Sequence, residues 1–356
     1  MDGKSLRLAL ASAYAGHSAT LGARLRPFSS IEQAFAERAR WWPDETPERQ
    51  ARLEHCCAAA EQHPWLAQTA SQDWQLLALG DPDYPPLLAQ LTDAPGVLFV
   101  RGDVSVLQRP QLAMVGARAA SAEGRENARQ LASALTRQGF VITSGLAAGI
   151  DAAAHEGTLG VGQSVAVMGT GPERIYPARH QSLADKLVTE GGALVTEFPL
   201  GEKAEAFHFP MRNRIISGLS LGVIVVEAAM KSGSLITARL AMEQGKEVFA
   251  LPGSVRNPLS RGCHRLLREG ANWLEEVQDV VDVFGSMTCL AEAAETASLL
   301  QEQAPALLHC FIAGTNSLDA LQRRSGLLLT DLLQQLTDLE LDGWVEKSSG
   351  GYQRSG

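Results

Sequence analysis

Between residues 111 and 251 the chain repeats one alternation: an apolar run, a glycine-bearing turn, a helical stretch. This pattern constrains the fold more than anything else in the sequence. Strands are expected at 112–115, 140–143, 164–168, 193–196, 222–226 and 247–251, and helices at 123–138, 151–159, 181–189 and 235–244. Strands separated by helices imply βαβ crossovers, and so a parallel sheet covered on both faces. The unbroken run Val223-Ile224-Val225-Val226 suits a strand buried on both sides. The expected fold is α/β, an extended Rossmann-like, doubly wound parallel sheet spanning residues 76–285.

The flanks read differently. Residues 1–75 are rich in Leu, Ala, Glu and Arg and lack β-branched runs, so a small helical, SAM-like N-terminal domain is expected. The segment 41–47, with two prolines, interrupts it. Asp81-Pro82-Asp83-Tyr84-Pro85-Pro86 forms a rigid turn before a short strand at 97–100. Residues 286–305 read as a linker. Residues 306–356 give three short helical patterns and a Gly-rich hairpin signal at 348–351. That is the order of a winged-helix domain.

The 356 residues are 45% hydrophobic and 20% charged, enough apolar content for a large core. No apolar run reaches the roughly 18–20 residues of a membrane-spanning helix, and no secretory leader pattern opens the chain. A cytoplasmic location without a membrane partner is expected. The five cysteines, Cys56, Cys57, Cys263, Cys289 and Cys310, form neither a CxxC pair nor a disulfide framework. Cys56 and Cys57, beside His55, read as small helix residues pointing to different faces. No metal and no cofactor is expected.

The net charge of -9 argues, taken alone, against a polyanionic partner. The charge is uneven, however. Residues 111–285 hold 17 Lys+Arg against 18 Asp+Glu, whereas residues 286–356 hold 4 against 9. A basic groove is compatible with the middle of the chain but not with its end.

Ligands of an open parallel sheet bind beyond the C-terminal ends of its strands. Four strand-to-helix turns should gather there: Gly116-Ala117-Arg118, Ser144-Gly145 through Gly149, Gly169-Thr170-Gly171 followed by Tyr176-Pro177-Ala178-Arg179, and Lys231-Ser232-Gly233-Ser234 through Thr237. Backbone N–H groups at helix starts favour anions. No GxxxxGK[ST] turn is present, and no GxGxxG follows the first strand, so neither a P-loop nucleotide site nor a dinucleotide site is supported.

The segment from Phe207 to Leu219 carries Phe207, Phe209, Arg212, Asn213 and Arg214. Aromatic rings stack bases without regard to sequence, and arginines track a phosphate backbone. The alternative is that the rings are core and the arginines pair with acids such as Glu227. Asp151 and His155, four residues apart, read either as an acid–base pair or as a helix cap with a packed histidine. Glu227 reads as a catalytic carboxylate or as a buried ion-pair partner. No HExxH or paired-carboxylate signature appears, and no catalytic residue is assigned.

These turns occur in order with Arg212-Asn213-Arg214-Ile215-Ile216-Ser217-Gly218-Leu219-Ser220, Ser232 to Ala238 and Pro252-Gly253. Together they resemble the bacterial DNA-processing protein A (DprA/Smf) family over about residues 75–285, including Asp83-Tyr84-Pro85 and Phe99-Val100-Arg101-Gly102-Asp103. The resemblance implies a non-enzymatic protein that binds single-stranded DNA, protects it during natural transformation and loads the RecA recombinase onto it. It implies a DNA pocket in the Rossmann-like domain with Arg118 on phosphate, Phe209 under a base and the turn 232–237 on the backbone. Arg179 is the available basic residue after Tyr176-Pro177. It also implies a homodimer formed through about residues 238–270, with Leu240, Met242, Leu259, Leu266 and Leu267 as apolar contacts.

The expected DNA-binding set is Gly116, Arg118, Ser144, Gly145, Gly149, Arg179, Phe209, Arg212, Asn213, Arg214, Lys231, Ser232, Gly233, Ser234 and Thr237. Departures from the family pattern are Ala117, where Ser is usual, and His180 and His264, where Asn is common. The N-terminal segment has Ala15-Gly16-His17-Ser18 in place of a Gly-x-Gly turn. The acidic stretch 328–341 points to protein contacts for the winged helix. The alternative function is a phosphoribohydrolase-type enzyme on a similar sheet. Those enzymes carry a PGGxGTxxE turn, and Pro252-Gly253-Ser254-Val255-Arg256 lacks its second Gly and trailing Glu.

Overall fold

The computed structural model describes residues 2–60, 74–285, 307, 310–311, 316–327, 329–341, 345–348 and 350–354. The chain divides into two compact units, residues 1–289 and 290–356.

The first unit is built on a nine-stranded sheet. Its strands are β1 (Trp74–Ala78), β2 (Val97–Gly102), β3 (Gln111–Val115), β4 (Val141–Ser144), β5 (Ser164–Val167), β6 (Ala193–Thr196), β7 (Gly222–Val225), β8 (Glu247–Ala250) and β9 (Asn272–Trp273). The spatial order is β1-β2-β6-β5-β4-β3-β7-β8-β9. From β6 to β9 every neighbouring pair is parallel, and β1 and β2 add an antiparallel edge. The chain runs from β3 out to β6, returns, and continues outward again from β7. The order therefore reverses between β3 and β7, the position where an open α/β sheet forms its ligand crevice. The six strands expected from the alternation are all present. β1 and the two-residue β9 were not expected.

Every residue of β3, β4, β5, β6 and β7 is buried. Helices on both faces supply that cover, among them Ala122–Arg137, Ile150–Thr158, Gln181–Thr189 and Ser234–Glu243. One further helix, His208–Leu219, which the strand–helix alternation does not signal, includes Pro210 in its first turn. Proline is tolerated there because first-turn N–H groups have no helical partner.

Residues 2–60 are helical as expected, with Gly3–Ala13, Ser18–Leu25, Ile31–Ala36 and Pro47–Ala60 as the main elements. They share the compact unit of the sheet instead of forming one of their own. Leu6, Leu8, Leu10, Ile31 and Leu53 join one apolar cluster with Leu77, Leu98 and Val100 of the antiparallel edge. Arg7 holds Asp81 with two hydrogen bonds, Nη2 at 2.7 Å and Nε at 3.2 Å. The expected linker at 286–305 lies outside the described residues.

The second unit has helices Leu318–Ser325 and Leu329–Leu341, then a hairpin pairing Val345–Ser348 with Gly351–Arg354. Leu321, Leu332, Leu336, Leu339 and Val345 form its core with Leu307 and Phe311. This is the winged-helix arrangement; most of the first of the three expected helices lies outside the described residues. Among the described residues, no helix is long and apolar enough to cross a membrane.

Candidate nucleic-acid interface

The turn after β3 and the turn after β7 leave the sheet side by side, where the strand order reverses. Ala117 N–H donates to the Glu227 carbonyl at 2.7 Å, joining them. A groove of about 720 Å³ opens above. Gly116 and Arg118 line it from the β3 turn, and Phe209, Arg212 and Asn213 from the helix His208–Leu219. Lys231, Ser232, Gly233, Ser234 and Thr237 line it from the β7 turn.

Arg118 is exposed, and its guanidinium carbon sits 5.0 Å from the centroid of the Phe209 ring, a cation–π contact. Tyr176 tilts against the same ring with centroids 5.5 Å apart. Arg118 and Lys231 have no acidic partner among the described residues. The lining thus holds three cations, Arg118, Arg212 and Lys231, against one carboxylate, Asp151. The local balance is positive although the whole chain is acidic.

Arg212 forms the floor. It is buried, donates from Nη1 to the Val167 carbonyl at 2.7 Å, and brings Nη2 to 4.0 Å from Asp151 Oδ2. Among the described residues its buried Nε has no partner. Burial pushes the guanidinium down to about 10, against the pull of Asp151 and with a smaller contribution from Arg118. Burial also raises the Asp151 carboxyl, opposed chiefly by Arg212. Asp151 accepts from Gly145 N–H at 3.2 Å and lies in the first turn of its helix without capping it. A Cβ on Gly145 would sit 1.8 Å from the Arg212 guanidinium, so only glycine leaves that arginine its place.

Below lies His155. Leu146 N–H donates to its Nε2 at 3.4 Å, and its Nδ1 lies 2.7 Å from Ser164 Oγ, which itself donates to the Ile142 carbonyl. Nε2 is therefore the acceptor and Nδ1 carries the proton. Burial holds this neutral ring down at about 3. Of the two readings of Asp151 and His155, the packed histidine is the one found. Leu146 itself has a φ of 56°, strained for a leucine, and its carbonyl accepts from His180 Nδ1 at 2.7 Å. His264 likewise donates to the Gly253 carbonyl at 2.9 Å. Both histidines thus do what an asparagine amide could do.

Several expected site residues stand elsewhere. Ser144 is buried and donates to the Met114 carbonyl at 2.6 Å, joining β4 to β3. Gly145 and Gly149 shape the loop beneath the groove without lining it. Gly149 has a φ of 83°, and a Cβ there would meet the Ala117 carbonyl at 2.1 Å. Arg179 is exposed in the short turn Ala178–His180 and is not part of the lining; Tyr176, three residues earlier, is. Arg214 is buried on the far side of its helix against Glu197 and Asp93.

Among the described residues Glu227 pairs with no arginine. It accepts from Ser121 N–H at 2.8 Å and Ser121 Oγ at 2.6 Å, anchoring the residue that caps the helix Ala122–Arg137. Tyr176 lines the groove although its Tyr-Pro context signals only a turn. Among the described residues, no cluster of three or more His, Cys, Asp or Glu is placed to hold a metal ion. The arrangement can hold anions and cover or stack a flat ring.

Residues 75–285 match the family described as DNA recombination-mediator protein A, and residues 291–351 match the DprA winged helix domain. The chain belongs to the DprA/Smf family. Protein Smf of Escherichia coli K12 is 44% identical over 299 residues, covering 82% of this chain and 79% of that protein. Among solved structures, DNA processing protein A of Streptococcus pneumoniae superposes with a TM-score of 0.58 at 40% identity, over 65% of this chain and 81% of that one. DNA processing protein A of Helicobacter pylori, described as having a unique single-stranded DNA binding mode, gives a TM-score of 0.54 at 28% identity, over 59% and 95%. The segment matched by the family, residues 75–285, thus contains the whole groove.

Proposed function

We propose that this protein binds single-stranded DNA in the groove at the β3/β7 switch point, without catalysing a reaction. The observation that carries the reading is the free guanidinium of Arg118 lying over Phe209 beside the free ammonium of Lys231. Phosphates are held by Arg118 and Lys231, and a base stacks on the Phe209–Tyr176 pair. Arg212 and the turns at 144–149 and 232–237 hold the site in shape. The single acid of the lining, Asp151, is committed to Arg212 and to Gly145 N–H, which favours a binder over a hydrolase.

In the cell the protein protects DNA entering the cytoplasm during transformation and passes it to RecA. It acts as a homodimer. Met230, Ile236 and Met242 are 48%, 42% and 39% exposed along and just before the helix Ser234–Glu243 and line one surface depression, an apolar patch suited to a second copy. Leu240, Leu259 and Leu267 are partly buried, while Leu266 belongs to the core of its own chain.

The test is filter binding of a single-stranded oligonucleotide against the same sequence as blunt duplex at one salt concentration, run beside a nucleotide-hydrolysis assay. Preference for the single strand with no hydrolysis is expected. Equal or tighter duplex binding, or turnover of a nucleotide, overturns the reading. A monomer in sedimentation at micromolar concentration overturns the dimer. Failure of the pre-bound strand to speed RecA filament formation overturns the hand-over.

A further inference from the structure

The helix His208–Leu219 has two working faces. Phe209, Arg212, Asn213 and Ile216 line the groove, at the i, i+3, i+4, i+7 spacing of one helix stripe. Arg214 is two residues past Arg212, about 200° around the axis, and points the other way. Its side chain is 10% exposed. Nη1 donates to the Asp93 carbonyl at 2.6 Å, Nη2 pairs with Glu197 Oε2, and Nε lies 3.7 Å from Asp93 Oδ2.

Those partners sit at a junction. Glu197 directly follows β6. Asp93 belongs to the segment 91–96 that leads into β2, and the N-terminal helices clasp that segment from their side. Gly96 N–H donates to the Ser18 carbonyl at 3.0 Å, and Arg26 Nη2 donates to the Leu91 carbonyl. Gly22 packs so close that a Cβ there would sit 2.0 Å from the Ala94 carbonyl. At the far end of the groove helix, Lys246 Nζ donates to the Ser217 and Gly218 carbonyls at 2.6 and 2.8 Å.

A guanidinium buried between carboxylates is an expensive way to attach a helix, since apolar side chains of similar size hold as well. What apolar packing lacks is direction. Arg214 fixes both the rotation and the height of the helix, because its planar fork fits Glu197 and Asp93 in only one setting. We infer that Arg214 is a positioning residue for DNA binding: clamped to Glu197 and Asp93, it sets Phe209 in the groove and ties that setting to the N-terminal helices through residues 91–96. This rests on the groove being the single-strand site; Arg214 itself touches no DNA.

The experiment compares full-length wild type, Arg214→Lys, Glu197→Gln, Phe209→Ala and the double variant Arg214→Lys/Phe209→Ala. Oligo-dT binding is measured across salt concentrations, and hydrogen exchange is followed in the free proteins. Arg214→Lys should weaken oligo-dT binding about tenfold with the salt slope unchanged. Exchange of the amides in 208–219 should speed at least tenfold while β4 and β5 keep their protection. The double variant should bind no more weakly than Phe209→Ala alone, because the arginine acts through that ring.

A slope lowered by roughly 0.7 marks a direct phosphate contact and overturns the inference. So do losses that add in the double variant, or unchanged exchange in the helix. Should Arg214→Lys not fold, Glu197→Gln keeps the arginine and the shape and, alone and combined with Phe209→Ala, must give the same three results. Should wild type fail to bind oligo-dT, the proposed function falls, and with it the role in DNA binding; the exchange measurement then still decides whether the clamp exists.

Discussion

The groove at the β3/β7 switch point and the helix Leu329–Leu341 of the second unit meet solvent with opposite charge. The groove sets Arg118, Arg212 and Lys231 against one carboxylate, Asp151. The helix exposes Asp331, Asp338 and Glu340 and contains no Lys or Arg. A chain of net charge -9 can therefore carry a polyanion site, because a site answers to charges within about a Debye length, roughly 8–10 Å, and not to the total. The same comparison separates two kinds of helix. Winged-helix modules often read DNA through a recognition helix, but this one would repel phosphate, so we propose protein contacts for the second unit.

The comparison breaks most visibly in the double variant Arg118→Ala/Lys231→Ala. Each lost charge-assisted contact is worth about 1.5–3 kcal/mol, so single-strand affinity should fall on the order of a hundredfold or more. The log–log salt slope should drop by roughly 1.4, about 0.7 for each phosphate released. Titration by fluorescence anisotropy at several salt concentrations checks both numbers, and wild-type affinity with wild-type slope removes both residues from the site.

Phe209→Ala should cost about 1–3 kcal/mol of binding with little change in salt slope, because stacking releases no counterions. A slope that falls as far as it does for a lost cation contradicts that role.

A third effect is on stability alone. His155 titrates near 3 in the folded unit and near 6.5 in a free chain, so the unfolded state binds more protons between those values. Stability attributable to this ring is complete above about pH 6.5 and is lost as pH falls through that window. The raised carboxyls of Asp151 and Glu197 act in the opposite direction. Urea melts of wild type and His155→Leu from pH 7 to pH 4 isolate the histidine. The wild-type curve should fall more steeply, by up to about 1.4 kcal/mol per pH unit, the value for one proton. Parallel curves contradict a neutral buried ring.

The smallest effect sharpens the comparison from the other side. Ending the chain at about residue 290 should change single-strand affinity less than about twofold, since the acidic helix holds no phosphate. A large loss in a truncated protein that still melts cooperatively assigns DNA contacts to the second unit.

Most of the parallel strands were legible because they are short, largely apolar runs followed by turn signals, and their order places residues of all four expected turns around one groove. β9 was not, being two residues long, and β1 pairs antiparallel with β2 across an intervening stretch of some twenty residues that carries no hairpin signal. The hardest element was the helix His208–Leu219. Read as a string, Arg212 and Arg214 look like a matched pair of cations flanking an amide. Wound at 100° per residue they face opposite ways, one to the groove and one to Glu197. Pro210 conceals the helix by falling in its first turn. The roles of Ser144 and Glu227 depend on which backbone atoms stand across from them, and no local pattern encodes that.

The contact between Arg118 and Phe209 makes the free site a seat already taken. A base that comes to rest on the covered face has to evict the guanidinium, and the adjoining phosphate is what gives the guanidinium somewhere to go. A nucleoside, which brings no phosphate, meets the eviction without the compensation. An oligonucleotide trades one neighbour of the ring for another. On the proposed function, recognition at this ring is an exchange of partners, in which the strand must bring a phosphate together with the base.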